Sequence, residues 1–131
     1  MRLLLDTHFA YWVTMRDGSL TARETELLSD DATDVSASAI SLWELRIKWN
    51  LFHVSGDRKG PADPAQVLTA LSRIDIPVIA LSPEHAAASL NTPMGHRDPF
   101  DELLLIQAQE MDGRLLTRDA KLANHPLALQ L

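Results

Sequence analysis

The chain has 131 residues, of which 46% are hydrophobic, and its formal net charge at pH 7 is −6. This size suits one domain, residues 1–131, with a real hydrophobic core. The absence of cysteine excludes disulfides and thiolate chemistry and fits a reducing cytoplasm. No segment approaches a membrane span, so we expect a soluble cytoplasmic protein without membrane contact. The negative charge excludes nucleic-acid binding through the bulk field unless a cation or a local basic patch offsets it.

Apolar runs alternate with helix-start signals along the chain. In chain order the predicted elements are strand Leu3–Leu5, helix Phe9–Val13, helix Thr21–Ser29, strand Val35–Ser38, a helix from Ser41 or a turn earlier from Ser38, helix Asp63–Arg73, strand Pro77–Leu81, helix Ser82–Leu90, helix Asp98–Gly113, strand Leu115–Thr117, a short helix with Leu122 and a last strand within Leu127–Leu131. Strands that alternate with helices predict an α/β fold with a parallel sheet of four to five strands.

Two acids follow predicted buried strands. Asp6 ends the unbroken apolar run Leu3–Leu5, and Asp119 comes shortly after Leu115–Thr117. The ligand crevice of an open parallel sheet lies at the carboxyl ends of its strands, so neighbouring strands would bring these acids together. Asp6 alone could equally be a polar stop or a helix cap.

A third acid, Glu44, falls at helical spacing in a stripe with Ile40, Trp43 and Ile47. A carboxylate that faces the body of a protein needs a partner, because burying an unpaired charge is costly. Two ordinary alternatives remain open. Glu44 could belong to a capping box with Ser41, or it could form a surface pair with Lys48.

The best-marked helix start is His96-Arg97-Asp98-Pro99-Phe100-Asp101. Asp98 before a proline is a strong N-cap, and Asp101 falls at the third helical position. The helix that follows is apolar nearly all round, so it is expected to be buried, with Gly113 closing it. Asp101 shares a face with its apolar residues and is therefore the stronger site candidate, with Asp98 as a cap or assisting group.

The four acids Asp6, Glu44, Asp101 and Asp119 all fall at strand ends or first helical turns expected at one edge of the sheet. Carboxylates packed together repel each other unless a cation neutralises them. Oxygen ligands without cysteine, and without a paired-histidine motif, favour Mg²⁺ or Mn²⁺ over Zn²⁺. Such ions activate water and stabilise charge in phosphodiester hydrolysis.

Four motifs in this order resemble those of the PIN-domain ribonucleases, and most closely the VapC-like toxins of bacterial type II toxin–antitoxin systems. The motifs are Leu-Leu-Asp-Thr-His at 4–8, Ser38-x-x-Ser41-x-Trp43-Glu44 with Lys48, His96 to Asp101, and Leu116-Thr117-Arg118-Asp119. The resemblance implies a PIN-like, Rossmann-like parallel sheet flanked by helices. It also implies an endoribonuclease that cleaves RNA with Mg²⁺ or Mn²⁺ and metal-activated water.

The resemblance also implies roles and partners. Asp6, Glu44, Asp101 and Asp119 match the family's acids, Thr7 and Thr117 its supporting hydroxyls, and Asp98 an assisting acid. His96, Arg97 and Arg118 are candidates for phosphate contacts. The implied partners are RNA, a small VapB-like antitoxin and a second copy of the chain in a homodimer, which could form a heterotetramer with the antitoxin.

Two alternatives from other classes stay open. A receiver-like signalling domain also collects acids and Mg²⁺ at a sheet edge, but it would have paired acids after the first strand and a lysine after the last. Here Thr7 follows Asp6. The other alternative is a catalytically inactive PIN-fold binding module.

Overall fold

The computed structural model describes residues 1–131 and contains five strands and six α-helices. The strands are β1 Arg2–Leu5, β2 Asp34–Ser38, β3 Val78–Ile79, β4 Arg114–Leu116 and β5 Ala128–Leu129. The helices are α1 Thr7–Met15, α2 Ala22–Ser29, α3 Ala39–Trp49, α4 Pro64–Arg73, α5 Pro83–Ala87 and α6 Pro99–Glu110. Short 3₁₀ turns cover Asp17–Ser19 and Ala120–Leu122. None of the helices has both the length and the apolarity to cross a membrane.

All strand pairs are parallel, and the order across the sheet is β3-β2-β1-β4-β5. This arrangement confirms the predicted α/β fold with a flanked parallel sheet. The order differs from the 2-1-3-4-5 order typical of receiver-like folds. The chain adds β2 and β3 on one side of β1 and then β4 and β5 on the other side, so the strand order reverses at β1. Leu5 of β1 lies opposite Leu116 of β4. A crevice at the carboxyl ends of β1 and β4 is therefore the position where such a sheet binds ligands.

The hydrophobic core covers both faces of the sheet. Leu4 and Leu115 pack with Leu104 and Leu105 of α6 on one face. Leu3, Leu5 and Leu116 pack with Phe9 of α1 on the other face. Each residue from Leu3 to Leu5 is 0% exposed, which confirms that this apolar run is a strand buried on both sides. The two layers hold α1 and α6 against the same central strands.

Several boundaries differ from prediction. The first helix extends to Thr7–Met15, because the Asp6 side chain caps it. The β3 strand is limited to Val78–Ile79, since it is a half-buried edge strand with one neighbour. The α5 helix ends at Ala87. Of the two predicted starts for α3, the earlier one is correct, because the Ser38 side chain caps it.

Gly113 closes α6, as predicted, although the left-handed conformation falls on the residue before it. The left-handed residue is Asp112, with φ of 54°, and Gly113 follows it. The Gly113 N–H donates to the Ala108 carbonyl at 2.9 Å, which closes the helix. A Cβ on Gly113 would lie 2.7 Å from the Arg2 carbonyl oxygen, so glycine is required here by the close approach of β1 and β4.

Candidate active site

Asp6 lies at the carboxyl end of β1 and begins α1. Its Oδ1 accepts the Phe9 N–H at 2.9 Å, and its own N–H donates to the Leu116 carbonyl at 3.1 Å. The residue is 6% exposed. Burial raises the pKa of Asp6 and the charge of Asp101 adds to the rise, although the Phe9 N–H, the Thr117 hydroxyl and His8 act in the opposite direction. Asp6 is thus a buried carboxylate without a salt-bridge partner.

Asp101 lies in the first turn of α6, whose N-cap is Asp98. Asp98 Oδ1 accepts the N–H groups of Phe100 and Asp101 at 2.9 and 3.2 Å. The Asp101 Oδ2 is 3.0 Å from His96 Nε2. Burial raises the pKa of Asp101, and the charges of Asp98 and Asp119 add to the rise, whereas the hydrogen bond from His96 lowers it. The negative charge of Asp101 therefore faces those of its acidic neighbours.

Thr117 lies beside two of the acids. Its hydroxyl is close enough to Asp6 to lower the pKa of that carboxyl, and its Oγ1 accepts the Asp119 N–H at 3.0 Å. The Asp119 Oδ1 in turn accepts the Lys121 N–H at 2.9 Å and caps the 3₁₀ turn that follows β4. Thr117 is 1% exposed, so this hydroxyl is fixed inside the protein. Asp6, Asp101 and Asp119 therefore lie at one edge of the sheet, as the positions of their strands and helix predicted.

Two donors hold Glu44, one at each of its carboxylate oxygens. Its Oε1 accepts the Thr7 hydroxyl at 2.5 Å, and its Oε2 is 2.9 Å from Lys48 Nζ. The Glu44 side chain is 13% exposed, whereas that of Lys48 is 44% exposed. Ser41 does not cap with Glu44, and its Oγ instead lies 3.2 Å from Thr7 Oγ1. The predicted Lys48 pair is thus present, and Thr7 adds a direct link from α1 to this acid.

The predicted apolar stripe of α3 is wrong beyond its first residue. Ile40 is buried, but Trp43 and Ile47 are 50% and 39% exposed. The buried face is completed by Ser41 and Leu45. Periodicity shows which residues share a helix face, but it does not show which face meets the rest of the protein. The Glu44 side chain is shielded from solvent because it faces α1. The spacing of apolar residues in α3 gave no evidence of that contact.

Arg118 is occupied by protein groups. Its guanidinium donates to both carboxylate oxygens of Glu24 and to the Ser19 carbonyl, and lies 4.3 Å from the centre of the Trp12 ring. Glu24 is 2% exposed, and its bond with Arg118 lowers its pKa. Although Arg118 was a predicted phosphate contact, these bonds give it a structural role beside the acids. Glu24 also forms a capping box with Thr21 at the start of α2.

An open cleft of about 480 Å³ lies beside the acids. Its lining is mostly charged and polar and consists of Glu44, Lys48, His96, Arg97, Asp98, Pro99, Phe100 and Lys121. Two of the three predicted phosphate contacts, His96 and Arg97, therefore face this space. Sequence analysis missed Lys121, although its position shortly after Asp119 places it at the same edge. The cleft thus combines cationic side chains with the neighbouring acids.

The donor chemistry of this edge fits a hard divalent cation. No three histidine, aspartate or glutamate side chains converge on one point as a complete protein cage. Mg²⁺ does not need such a cage, since it usually binds one or two carboxylates together with waters and substrate phosphates. Asp6 is buried and Asp101 is partly buried, and each has a raised pKa, to which the charge of Asp101 contributes at Asp6. These two acids supply that number of carboxylates.

Comparisons with known proteins identify the family of the chain. The PIN domain family model matches residues 3–126. Ribonuclease VapC22 of Mycobacterium tuberculosis is 29% identical over 126 residues, which cover 94% of this chain and 91% of VapC22. The crystal structure of VapBC2 from Rickettsia felis bound to a DNA fragment from their promoter has a similar fold, with a TM-score of 0.62 and 18% identity over 100% of this chain and 98% of that chain. Because the family match spans nearly the whole sequence, the chain belongs to the PIN-domain family.

Proposed function

We propose that this PIN-domain protein is a Mg²⁺- or Mn²⁺-dependent endoribonuclease that acts as the toxin of a type II toxin–antitoxin system. The observation that carries the proposal is the placement of buried Asp6 and partly buried Asp101 at the carboxyl edge of the sheet, where the charge of Asp101 raises the pKa of Asp6. A divalent cation removes this repulsion, and RNA phosphates are ligands that complete its coordination.

The relative VapC22, named a ribonuclease, supports the choice of reaction because the similarity covers almost the full length of both chains. The resemblance to VapC-like toxins extends the proposal to a small VapB-like antitoxin, to a homodimer of this chain and to a heterotetramer with the antitoxin. Binding of an antitoxin over the cleft would separate the acids from RNA.

The candidate ligands for the cation are the carboxylates of Asp6, Glu44, Asp101 and Asp119. When bound, the cation supplies Lewis acidity for attack of water on a phosphodiester bond. Asp6 is held by the Phe9 N–H, and the backbone of Asp119 is held by the Thr117 hydroxyl beside it. Glu44 is oriented by Thr7 and Lys48.

The cleft would bind the RNA backbone. Lys48, Arg97 and Lys121 line it and supply positive charge beside the acids. This local set overcomes the unfavourable net charge of −6, because phosphate contacts depend on charges within a Debye length, about 8 Å at physiological salt. His96 holds the Asp101 carboxylate, with its Nε2 at 3.0 Å.

The proposal is tested with purified protein and a pool of synthetic RNAs. We expect cleavage with Mg²⁺ or Mn²⁺, none with EDTA, and products that carry 5′-phosphate and 3′-hydroxyl ends. Asp101→Asn should abolish cleavage, whereas the exposed Asp31→Asn, which is away from the site, should leave the rate unchanged. Equal cleavage in EDTA would refute metal dependence. Failure of the intact protein to cut any RNA would instead favour an inactive PIN-fold binding module.

A further inference from the structure

A buried glutamine joins the elements behind the acids. Gln107 of α6 is 0% exposed, which is unusual for this residue type. Its Oε1 accepts the hydroxyl proton of Ser38, and its Nε2 donates to the Ala80 carbonyl at 3.2 Å. The same Nε2 lies 3.3 Å from His85 Nδ1. All the polar atoms of the side chain therefore have partners.

The chemistry of these partners permits one orientation of the amide. His85 Nδ1 accepts the Ser82 N–H at 3.2 Å, so this nitrogen carries no proton and acts as an acceptor. With the amide reversed, Oε1 would face two acceptors, the Ala80 carbonyl and His85 Nδ1. Gln107 is thus locked with its carbonyl towards Ser38.

The partner of that carbonyl starts the helix that carries Glu44. Ser38 Oγ accepts the Ile40 N–H at 3.0 Å and caps α3, while its proton goes to Gln107. This bond is the only hydrogen bond that joins α3 or its cap to α6. The other contacts between them are apolar: Ile40 packs in a core cluster with Leu104 and Leu105, and the Trp43 and Phe100 rings lie 5.7 Å apart. Apolar contacts tolerate sliding of helices, whereas a buried hydrogen bond has a required direction and distance.

We infer that Gln107 is a positioning residue, which fixes α3 against α6 and thereby sets Glu44 relative to Asp101 for binding of the divalent cation. The inference rests on the proposed function, because it concerns the same acids. It assigns to Gln107 a role beyond core packing, although the residue touches neither the cleft nor any of the acids.

The test compares two glutamines of the same helix. Gln107→Met keeps the length of the side chain but removes the link to Ser38. Gln109→Met is the matched control, since Gln109 also bonds to backbone, at Ser89 and Asn91, but joins α6 to a loop away from the acids. Mn²⁺ binding without RNA is measured by calorimetry, and thermal unfolding is recorded for both variants.

We expect Gln107→Met to raise the Mn²⁺ dissociation constant roughly tenfold or more, as loss of outer-shell partners does at metal sites. Cleavage at limiting Mn²⁺ should fall and should recover as Mn²⁺ approaches saturation, because Gln107 acts on the affinity for the cation and not on the groups that react. Gln109→Met should leave the Mn²⁺ affinity unchanged. An effect of Gln107→Met no larger than that of Gln109→Met would overturn the inference.

Two further measurements cover other outcomes. If Gln107→Met does not fold, Ser38→Gly removes the same bond while glycine remains a tolerable N-cap, and the same loss of Mn²⁺ affinity is expected. If wild-type protein binds no Mn²⁺, the proposed function fails. The NMR chemical shift of the Trp43 indole N–H then tests whether Gln107 positions α3, since it should change in Gln107→Met but not in Gln109→Met.

Discussion

Replacing Asp6 with asparagine separates the function of the site from the stability of the fold. Asparagine keeps a carbonyl oxygen that can accept the Phe9 N–H, so the cap of α1 is retained. It removes a buried carboxylate whose pKa is raised by burial and by the charge of Asp101. An acid with a raised folded pKa destabilises the protein above that pKa, and its protonation, neutral replacement or metal binding relieves the cost.

The size of the effect follows from the surroundings of Asp6. The carboxylate accepts the Phe9 N–H but has no salt-bridge partner at 6% exposure. Leaving a buried group incompletely compensated costs about 1–3 kcal/mol. We therefore expect Asp6→Asn to raise the free energy of unfolding by about 1–2 kcal/mol at pH 7 in EDTA.

The assay is urea denaturation with and without Mg²⁺, together with RNA cleavage. Wild type should gain stability with Mg²⁺, because an ion that binds only the folded state stabilises it. Asp6→Asn should be more stable than wild type in EDTA, gain less from Mg²⁺ and cut no RNA. If the variant is less stable than wild type in EDTA at pH 7, or if it keeps normal cleavage, the reasoning about this buried charge is refuted.

The remaining predictions concern supporting residues. Glu24→Gln should lower the free energy of unfolding by about 1–2 kcal/mol at pH 7, because hydrogen bonds to charged groups contribute about that much. Arg118 lowers the Glu24 pKa, so the difference in free energy of unfolding between wild type and Glu24→Gln should be complete above the ordinary pKa of 4.5. It should shrink below that pH and vanish once Glu24 is protonated in the folded protein. A difference that grows in acid would contradict this. Thr7→Val removes the hydroxyl that donates to Glu44 and should lower the rate of cleavage at limiting Mg²⁺ by roughly tenfold. The rate is measured in a Mg²⁺ titration at fixed RNA concentration, and a titration curve identical to that of wild type would show that the Thr7–Glu44 bond does not matter for the cation. Leu105→Ala, at 0% exposure, should cost about 2–5 kcal/mol in urea denaturation, so a loss under about 1 kcal/mol would contradict the described core.

Local signals in the sequence predicted most of the site. Asp6 and Asp98 are recognisable because caps depend on residues close in the chain, and both cap helices in the structure. The position of Asp119 followed from the parallel sheet, in which β1 and β4 are neighbours. These predictions needed only short-range rules and the right class of fold.

Other contacts could not be predicted, because they depend on how distant elements pack. Arg118 and Glu24 are 94 residues apart, and neither position shows in the sequence that they meet. The exposure of Trp43 likewise depends on where α3 lies against its neighbours. For the same reason the buried side chain of Gln107 was missed within an apolar helix.

RNA cleavage is proposed to require a divalent cation that Asp6 and Asp101 hold. Anomalous diffraction from crystals grown with Mn²⁺, at a concentration that supports cleavage, tests it most directly. We expect a peak in contact with the carboxylates of Asp6 and Asp101 and no such peak in Asp6→Asn crystals. A peak elsewhere, or no peak at this edge in active protein at that concentration, would show that these acids do not hold the catalytic cation.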